Sequence, residues 1–165
     1  MSAARLISAG LAFSACVLFG YVRVKGSRIR LSELEGLYED VKAFEQSVRL
    51  DRTELDAEVK RLAEEGRCSD AWKRVEVRMS EGLDLASAID GSGMKKLFSG
   101  SEEALDLILR MDPCGDHEAV SNTLACAAAK LGSIAEKKRE CLLKNERITR
   151  SLSIFAGLAA ALLII

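Results

Sequence analysis

Residues 6–22 read LISAGLAFSACVLFGYV, a run of seventeen positions without a charged side chain. At about 1.5 Å of rise per residue, a helix of this length covers roughly 25 Å, enough to span a bilayer with help from its flanks. A cleaved signal peptide would need a polar cleavage region after the apolar core, but residues 17–22 stay apolar. A lipoprotein signal at Phe13–Cys16 lacks the usual Leu. We therefore predict a transmembrane helix over residues 6–22, behind a short N-terminal tail of residues 1–5.

The opposite end of the sequence is apolar as well. Residues 152–165, LSIFAGLAAALLII, carry no charge over fourteen positions. The run is short for a span, and Arg147 and Arg150 would have to extend their side chains to the interface while the bilayer thins locally. A buried core helix is the alternative for a run of this length. We predict a second transmembrane helix over residues 151–165.

Basic residues flank both apolar runs on the side of the central segment. By the positive-inside rule, these flanks place residues 23–150 in the cytoplasm as one helical domain. The residues to which we assign this topology are Arg23, Lys25, Arg28 and Arg30 after the first run, and Arg147 and Arg150 before the second.

The central segment has the periodicity of helices. Apolar residues recur at steps of three and four, as on one face of a helix, and no run of alternating β-branched residues occurs. The first stripe continues from the first apolar run, and the last stripe, from residue 116 onward, runs into the second. The predicted fold class is all-α, with a bundle of about five or six helices between the two transmembrane helices.

Turn-forming residues predict where these helices begin and end. Gly66 and Gly82 mark helix ends, and the three glycines within residues 90–100 predict a mobile loop. Hydroxyl side chains ahead of apolar stripes are predicted N-caps: Thr53, Ser69 and Ser101.

The charge balance of the sequence argues against a nucleic-acid-binding protein. The 165 residues hold 24 Lys and Arg against 25 Asp and Glu, a net charge of −1. A nucleic-acid-binding protein would normally show a basic excess, so no nucleic-acid partner is expected. The acidic residues along the first cytoplasmic helix are expected on its solvated face: Glu33, Glu35, Glu39, Asp40 and Glu45.

The densest group of reactive side chains is residues 112–117, DPCGDH. Cys114 and His117, with or without Cys126, have the chemistry of a metal site or of a nucleophile and its base. The second closely spaced ligand pair of a zinc site is missing, so we interpret the segment as a turn with Asp116 as N-cap. The five cysteines, without a spacing pattern, are expected to be reduced. No metal, cofactor or catalytic residue is predicted, and we do not expect an enzyme.

Small residues recur at steps of four along both apolar runs. Such ridges let membrane helices approach closely, although small residues are also common in membrane spans in general. We expect the two spans to pack on each other through them. The predicted packing residues are Ser8, Ala12, Cys16 and Gly20 in the first run, and Ser153, Gly157 and Ala161 in the second.

Four stretches carry a resemblance to a known family: residues 30–37, RLSELEGL; residues 53–55, TEL; residues 79–82, MSEG; and residues 144–152, KNERITRSL. Together they resemble the stage III sporulation protein AB family of endospore-forming bacteria, over essentially the whole chain. The sequence departs from that family after Met111, where Cys114-Gly115-Asp116 replaces the usual Leu-Gly, two residues and Asp.

The resemblance implies an architecture and a function. It implies a cytoplasmic domain similar to that of the type II secretion F platform protein, between two spans of the inner membrane and on the mother-cell side. It also implies a transport complex that joins mother cell and forespore, with a secretion-ATPase-like protein and other membrane proteins as partners, and no catalytic residues. Homo-oligomerisation is left open. The alternative is a membrane-anchored regulatory or signalling protein that binds a partner through its bundle.

Overall fold

The computed structural model describes residues 3–51, 54–111 and 117–164, and these ranges contain helices and no β-strand. The predicted all-α fold class is confirmed. A π-helical turn, Ser47–Asp51, follows the first helix. The α-helices are α1 (Ala3–Gln46), α2 (Leu55–Glu65), α3 (Ser69–Ser80), α4 (Leu85–Gly91), α5 (Met94–Leu97), α6 (Glu102–Leu109) and α7 (His117–Ile164).

Two of these helices are much longer than the others. α1 has 44 residues and α7 has 48, so each is about 70 Å long. The prediction that the first apolar run continues without a break into the central segment is confirmed. So is the prediction of one long helix that ends in the second apolar run.

The chain packs as two compact units. The first consists of Met1–Arg30 and Lys138–Ile165, the outer parts of the two long helices. The second is Leu31–Lys137, which holds the rest of α1 and α7 together with α2 to α6. These are units of packing, and the predicted membrane boundaries at residues 22 and 151 stay predictions.

A continuous hydrophobic core fills the second unit. Phe44 on α1 and Trp72 on α3 meet edge to face, with their ring centroids 6.0 Å apart, and Trp72 is 1% exposed. Burial of each such large apolar side chain stabilises a fold by about 1.5–3 kcal/mol. The other helices each bring fully buried aliphatic side chains to this core: Leu62 on α2, Ile89 on α4, Met94 on α5, Leu105 on α6, and Leu124 and Leu131 on α7.

The glycines end their helices as predicted, by different means. Gly66 follows α2 in an extended conformation, with its N–H donating to Leu62 O at 2.9 Å. A Cβ atom on Gly66 would collide with that carbonyl. Gly82 follows α3 with φ +90°, a conformation that L side chains avoid.

The predicted N-caps agree less well. α3 begins at Ser69 itself, and Cys68 occupies the N-cap position, so the prediction for Ser69 is wrong by one residue. Ser101 does precede α6 as predicted, but its hydroxyl donates to Phe98 O rather than capping the helix. Thr53 and Asp116 lie outside the described residues.

Residues 90–100 form helical structure where a loop was predicted. α4 extends to Gly91, and α5 follows after Gly93, which has φ +74°. Met94 is completely buried and Phe98 is 8% exposed, so two apolar anchors hold this segment in the core. The described ranges therefore hold seven α-helices, where a bundle of about five or six was predicted, because α5 was not predicted.

Two acidic side chains of α1 lie inside the second unit. Asp40 is 4% exposed and Glu45 is 8% exposed, so their placement on a solvated face is wrong, whereas Glu33 and Glu39 are exposed as predicted. The Asp40 carboxylate accepts hydrogen bonds from the backbone N–H of Arg67 and of Cys68, each at 2.8 Å, and from Trp72 Nε1 at 3.0 Å. It joins α1 to the turn between α2 and α3.

One helical stretch within the described ranges, Ile7–Leu50, is long and apolar enough to cross a membrane, and it lies near the N-terminus. Among the described residues, no second stretch of this kind is found. A second span over residues 151–165 stays a prediction.

Candidate functional site

The apolar ends of α1 and α7 pack against each other within the first unit. They run antiparallel, with Gly20 beside Ser153 and Gly157 beside Phe13. A Cβ atom on Gly20 would lie 2.8 Å from Ser153 Cβ, and a Cβ atom on Gly157 would lie 2.8 Å from Phe13 Cδ2. Neither position admits a larger side chain unless its neighbour shifts. The two helices therefore approach closely at two points, which are seven residues apart on α1 and four residues apart on α7.

Two hydroxyl groups along this pair donate hydrogen bonds within their own helices. Ser153 Oγ donates to Thr149 O at 2.8 Å, and Ser14 Oγ donates to Gly10 O at 2.9 Å. In a lipid environment no water is present to accept such bonds. This arrangement suits an apolar surrounding.

The structure brings most of the predicted packing residues to the helix pair. Gly20 and Gly157 are buried, and Ala12, Cys16 and Ser153 are partly buried, whereas Ser8 is exposed. The side chain of Ala161 lies outside what the structure describes.

The exposure of Ser8 has a geometric reason. With 3.6 residues per turn, each step of four rotates a side chain by about 40° around the helix. Ser8 is three such steps from Gly20 and therefore points about 120° away from it. Ala9, which is 4% exposed, lies on the buried line instead. Ala9 would have been predicted as a packing residue from the mean helical period of 3.6 residues, rather than from a strict step of four.

Glu146 joins two of the predicted basic flanks at the charged end of the pair. Arg28 Nη2 donates to both carboxylate oxygens at 2.7 Å, and Arg150 Nη2 lies 2.6 Å from Oε1. The hydrogen bonds from Arg28 hold the pKa of the Glu146 carboxyl below its usual range, and they raise the pKa of Arg28. These groups are therefore ionised at neutral pH, and they tie α1 to α7.

The other predicted basic flanks, Arg23, Lys25, Arg30 and Arg147, have exposed side chains. The topology argument counted basic residues alone and so missed Glu146. Its position four residues before Arg150 on one helix is a spacing at which opposite charges meet. That spacing predicts the ion pair between Glu146 and Arg150. It does not predict the contact between Glu146 and Arg28, because these residues are 118 positions apart.

The reactive group near residue 114 is only partly within the described ranges. Cys114 lies outside them, His117 is the exposed first residue of α7, and Cys126 is exposed nine positions further on. Among the described residues, no group of three or more His, Cys, Asp and Glu side chains is placed to hold a metal ion.

The described cysteines differ greatly in reactivity. Cys16, Cys68, Cys126 and Cys141 are free thiols. Burial, together with the nearby carboxylates of Asp40 and Glu33, raises the pKa of Cys68 to about 12. Since the thiolate is the reactive form, Cys68 is a poor target for thiol reagents, while Cys126 and Cys141 are exposed.

The fold and the helix pair define an all-helical protein that combines a helical bundle with two closely packed apolar helix ends. The family model of stage III sporulation protein AB matches residues 5–165, nearly the whole chain. The chain belongs to this family, which makes it a sporulation stage III protein. No curated protein and no solved structure matches it.

Proposed function

We propose that the protein is a non-enzymatic membrane platform in a sporulation-specific transport complex between mother cell and forespore. In this function both apolar helix ends span the cell membrane. The bundle lies in the mother-cell cytoplasm and couples a secretion-type ATPase to the membrane assembly. Family membership supports the sporulation context. The observation that carries the membrane part is the apolar outer surface of the first unit.

That surface consists of large apolar side chains that are exposed along the two helices. Phe19 is 70% exposed, Phe155 is 69% exposed and Leu163 is 89% exposed. Monomeric soluble proteins rarely expose a contiguous apolar patch of this kind, whereas lipid acyl chains would cover it. The further exposed members are Ile7, Leu11, Leu18, Tyr21 and Val22 on α1, and Leu152, Ile154, Leu158 and Leu162 on α7.

The helix pair also supports a span at the short C-terminal run. A helix with few apolar residues gains little from lipid burial alone, and interhelical packing stabilises it further. The contacts of Gly157 with Phe13 and of Ser153 with Gly20 supply such packing. The ion pairs of Glu146 follow next along the same helices, where a span would reach the membrane surface.

Thiol labelling tests the orientation. In variants that retain Cys126 alone or Cys141 alone, we expect a membrane-impermeant maleimide to leave intact cells unlabelled and to label permeabilised cells. Both residues are exposed and lie within residues 23–150, which the proposal places in the cytoplasm. Cys68 is unsuitable because its raised pKa suppresses the thiolate. Labelling of either exposed thiol in intact cells would contradict the proposed topology.

Co-purification from detergent extracts of sporulating cells tests the platform function. We expect the tagged full-length chain to retain a secretion-type ATPase. Val75→Asp, at a completely buried position of α3, should lose the ATPase because it unfolds the bundle. Val77→Asp is the matched control on the same helix, since Val77 is 56% exposed, and it should retain it.

Two results would count against the platform. Retention of the ATPase by Val75→Asp, in a chain shown to be unfolded, would mean that the bundle is not the coupling element. The regulatory alternative would be favoured if the tagged chain captured a partner other than an ATPase and no further membrane proteins were co-purified.

A further inference from the structure

A groove of about 440 Å³ runs along one side of the helix pair in the first unit. Its walls are apolar over the part of α1 and α7 that the proposed function places in the membrane, where Val17, Tyr21 and Ile154 line it. The groove follows α1 from Val17 to Arg28, and these two residues are about 16 Å apart along the helix axis. Such a groove has the length and the lining of a site for part of a lipid acyl chain.

Cations line the other end of this groove. They are Lys25 and Arg28 on α1 and Arg150 on α7. Arg28 and Arg150 share one carboxylate, Glu146, and their side chains are 56% and 61% exposed. Lys25 makes no ion pair within the described part of the chain. Two arginines share one carboxylate and Lys25 lies outside these ion pairs, so the described residues leave an excess positive charge at this end.

The groove on the opposite side of the pair provides a comparison. It is larger, about 840 Å³, and its charged lining consists of Arg23 and Glu146. Arg23 is the cation of that lining, Glu146 is the carboxylate that Arg28 and Arg150 contact, and Asn145 and Thr149 add neutral polar groups. Positive charge is therefore concentrated in the smaller groove.

We propose that the smaller groove binds an anionic phospholipid. The headgroup phosphate lies among Lys25, Arg28 and Arg150, and one acyl chain lies against Tyr21 and Ile154. Arginine is suited to phosphate oxygens because its guanidinium presents several donors in a plane, and an aromatic ring such as Tyr21 is favoured at the membrane interface. This inference rests on the proposed insertion of both helix ends in the membrane.

Tryptophan quenching by brominated lipids tests the site in the full-length chain. Tyr21→Trp places a reporter in the smaller groove, and Phe19→Trp places one in the larger groove. Trp72 stays in place, and the parent chain gives its background, since it is 1% exposed. Vesicles contain phosphatidylcholine and phosphatidylglycerol in a fixed ratio, and only the identity of the brominated lipid changes.

We expect Tyr21→Trp to report a local enrichment of phosphatidylglycerol of about fivefold or more, since each basic residue near a membrane surface contributes roughly that factor. Phe19→Trp should report no comparable enrichment. Adding Lys25→Gln and Arg150→Gln to the Tyr21→Trp chain should abolish the preference. Adding Arg23→Gln, which removes one positive charge from the other groove, should leave it unchanged.

Equal quenching of Tyr21→Trp by the two brominated lipids would overturn the site, and so would a lipid preference that survives Lys25→Gln with Arg150→Gln. A lipid preference that is lost with Arg23→Gln would also overturn it. The same holds for a lipid preference that inorganic phosphate removes at constant ionic strength. The last result would assign the groove to free phosphate. Absence of quenching at both reporters by every brominated lipid would instead show that the helix pair is outside the bilayer, and would overturn the proposed membrane insertion together with the site.

Discussion

Asp40→Ala is expected to lower the free energy of unfolding of the bundle by about 3–5 kcal/mol, because it removes the acceptor of three hydrogen bonds. The donors are the backbone N–H groups of Arg67 and Cys68 and the indole Nε1 of Trp72. A buried donor left without a partner costs about 1–3 kcal/mol; the indole donor is buried and the two backbone donors are partly buried. Denaturant unfolding of the full-length chain in detergent, followed by the fluorescence of its single Trp, measures the loss.

Two further variants separate the hydrogen bonds from the charge of Asp40. Asp40→Asn keeps one acceptor oxygen and should lose about half as much stability. Glu39→Ala is the surface control at the neighbouring position, where the carboxylate forms an exposed ion pair with Arg67 at 2.8 Å. Such pairs contribute at most about 1 kcal/mol. An unfolding midpoint for Asp40→Ala equal to that of the parent would contradict the structural role of the carboxylate.

The burial of Asp40 was readable from the sequence only in part. Asp40 lies three residues after Leu37 and four before Phe44, on the apolar stripe rather than opposite it. That spacing signals a buried position. The partners that make burial tolerable lie 27 and 28 residues further along the chain. Local periodicity does not indicate a contact between residues that far apart in the sequence. The role of Asp40 could therefore be identified only from the tertiary structure.

The region of α4 and α5 shows a different limit of sequence reasoning. Gly91, Gly93 and Gly100 were the basis for the prediction of a loop. A helix of four residues is too short to show a periodic pattern. Met94 and Phe98 hold it in place through tertiary burial. The glycine with φ +74°, Gly93, permits the turn between α4 and α5 and does not mark an irregular segment.

For the helix pair, the sequence predicted which segments are apolar and which of their residues are small. It did not predict that Gly157 receives the ring of Phe13 instead of another small residue. A glycine leaves a gap on one helix that an aromatic ring of the other helix can fill. Which glycine meets which ring depends on how the two helices are aligned, and the sequence of either helix alone does not indicate that alignment. The same holds for the contact of Arg28 with Glu146.

Gly157→Leu is expected to weaken the packing of α1 on α7 by about 1–2 kcal/mol, roughly a tenfold loss in association. The Cβ atom of the new side chain would lie 2.8 Å from Phe13 Cδ2 and 3.4 Å from Phe13 O. The Phe13 ring must therefore move, and the three carbon atoms of leucine beyond Cβ need further room, so we expect the helices to separate. Disulfide formation between Gly20→Cys and Ser153→Cys, in a chain without its other cysteines, measures the separation.

In the chain with this cysteine pair, the two Cβ atoms already have to move apart from 2.8 Å to the roughly 3.5–4.5 Å of a disulfide. The further opening caused by Gly157→Leu takes them beyond that range, so we expect Gly157→Leu to crosslink more slowly than the parent. Ala159→Leu is the matched control, since Ala159 is exposed on the same helix, and it should crosslink at the parent rate. Trp72 fluorescence should stay unchanged in both variants, because Trp72 belongs to the other packing unit. Equal crosslinking rates for Gly157→Leu and Ala159→Leu would show that the close approach at Gly157 contributes nothing to the pairing. Crosslinks that form only between chains would replace the intramolecular hairpin with an interface between copies.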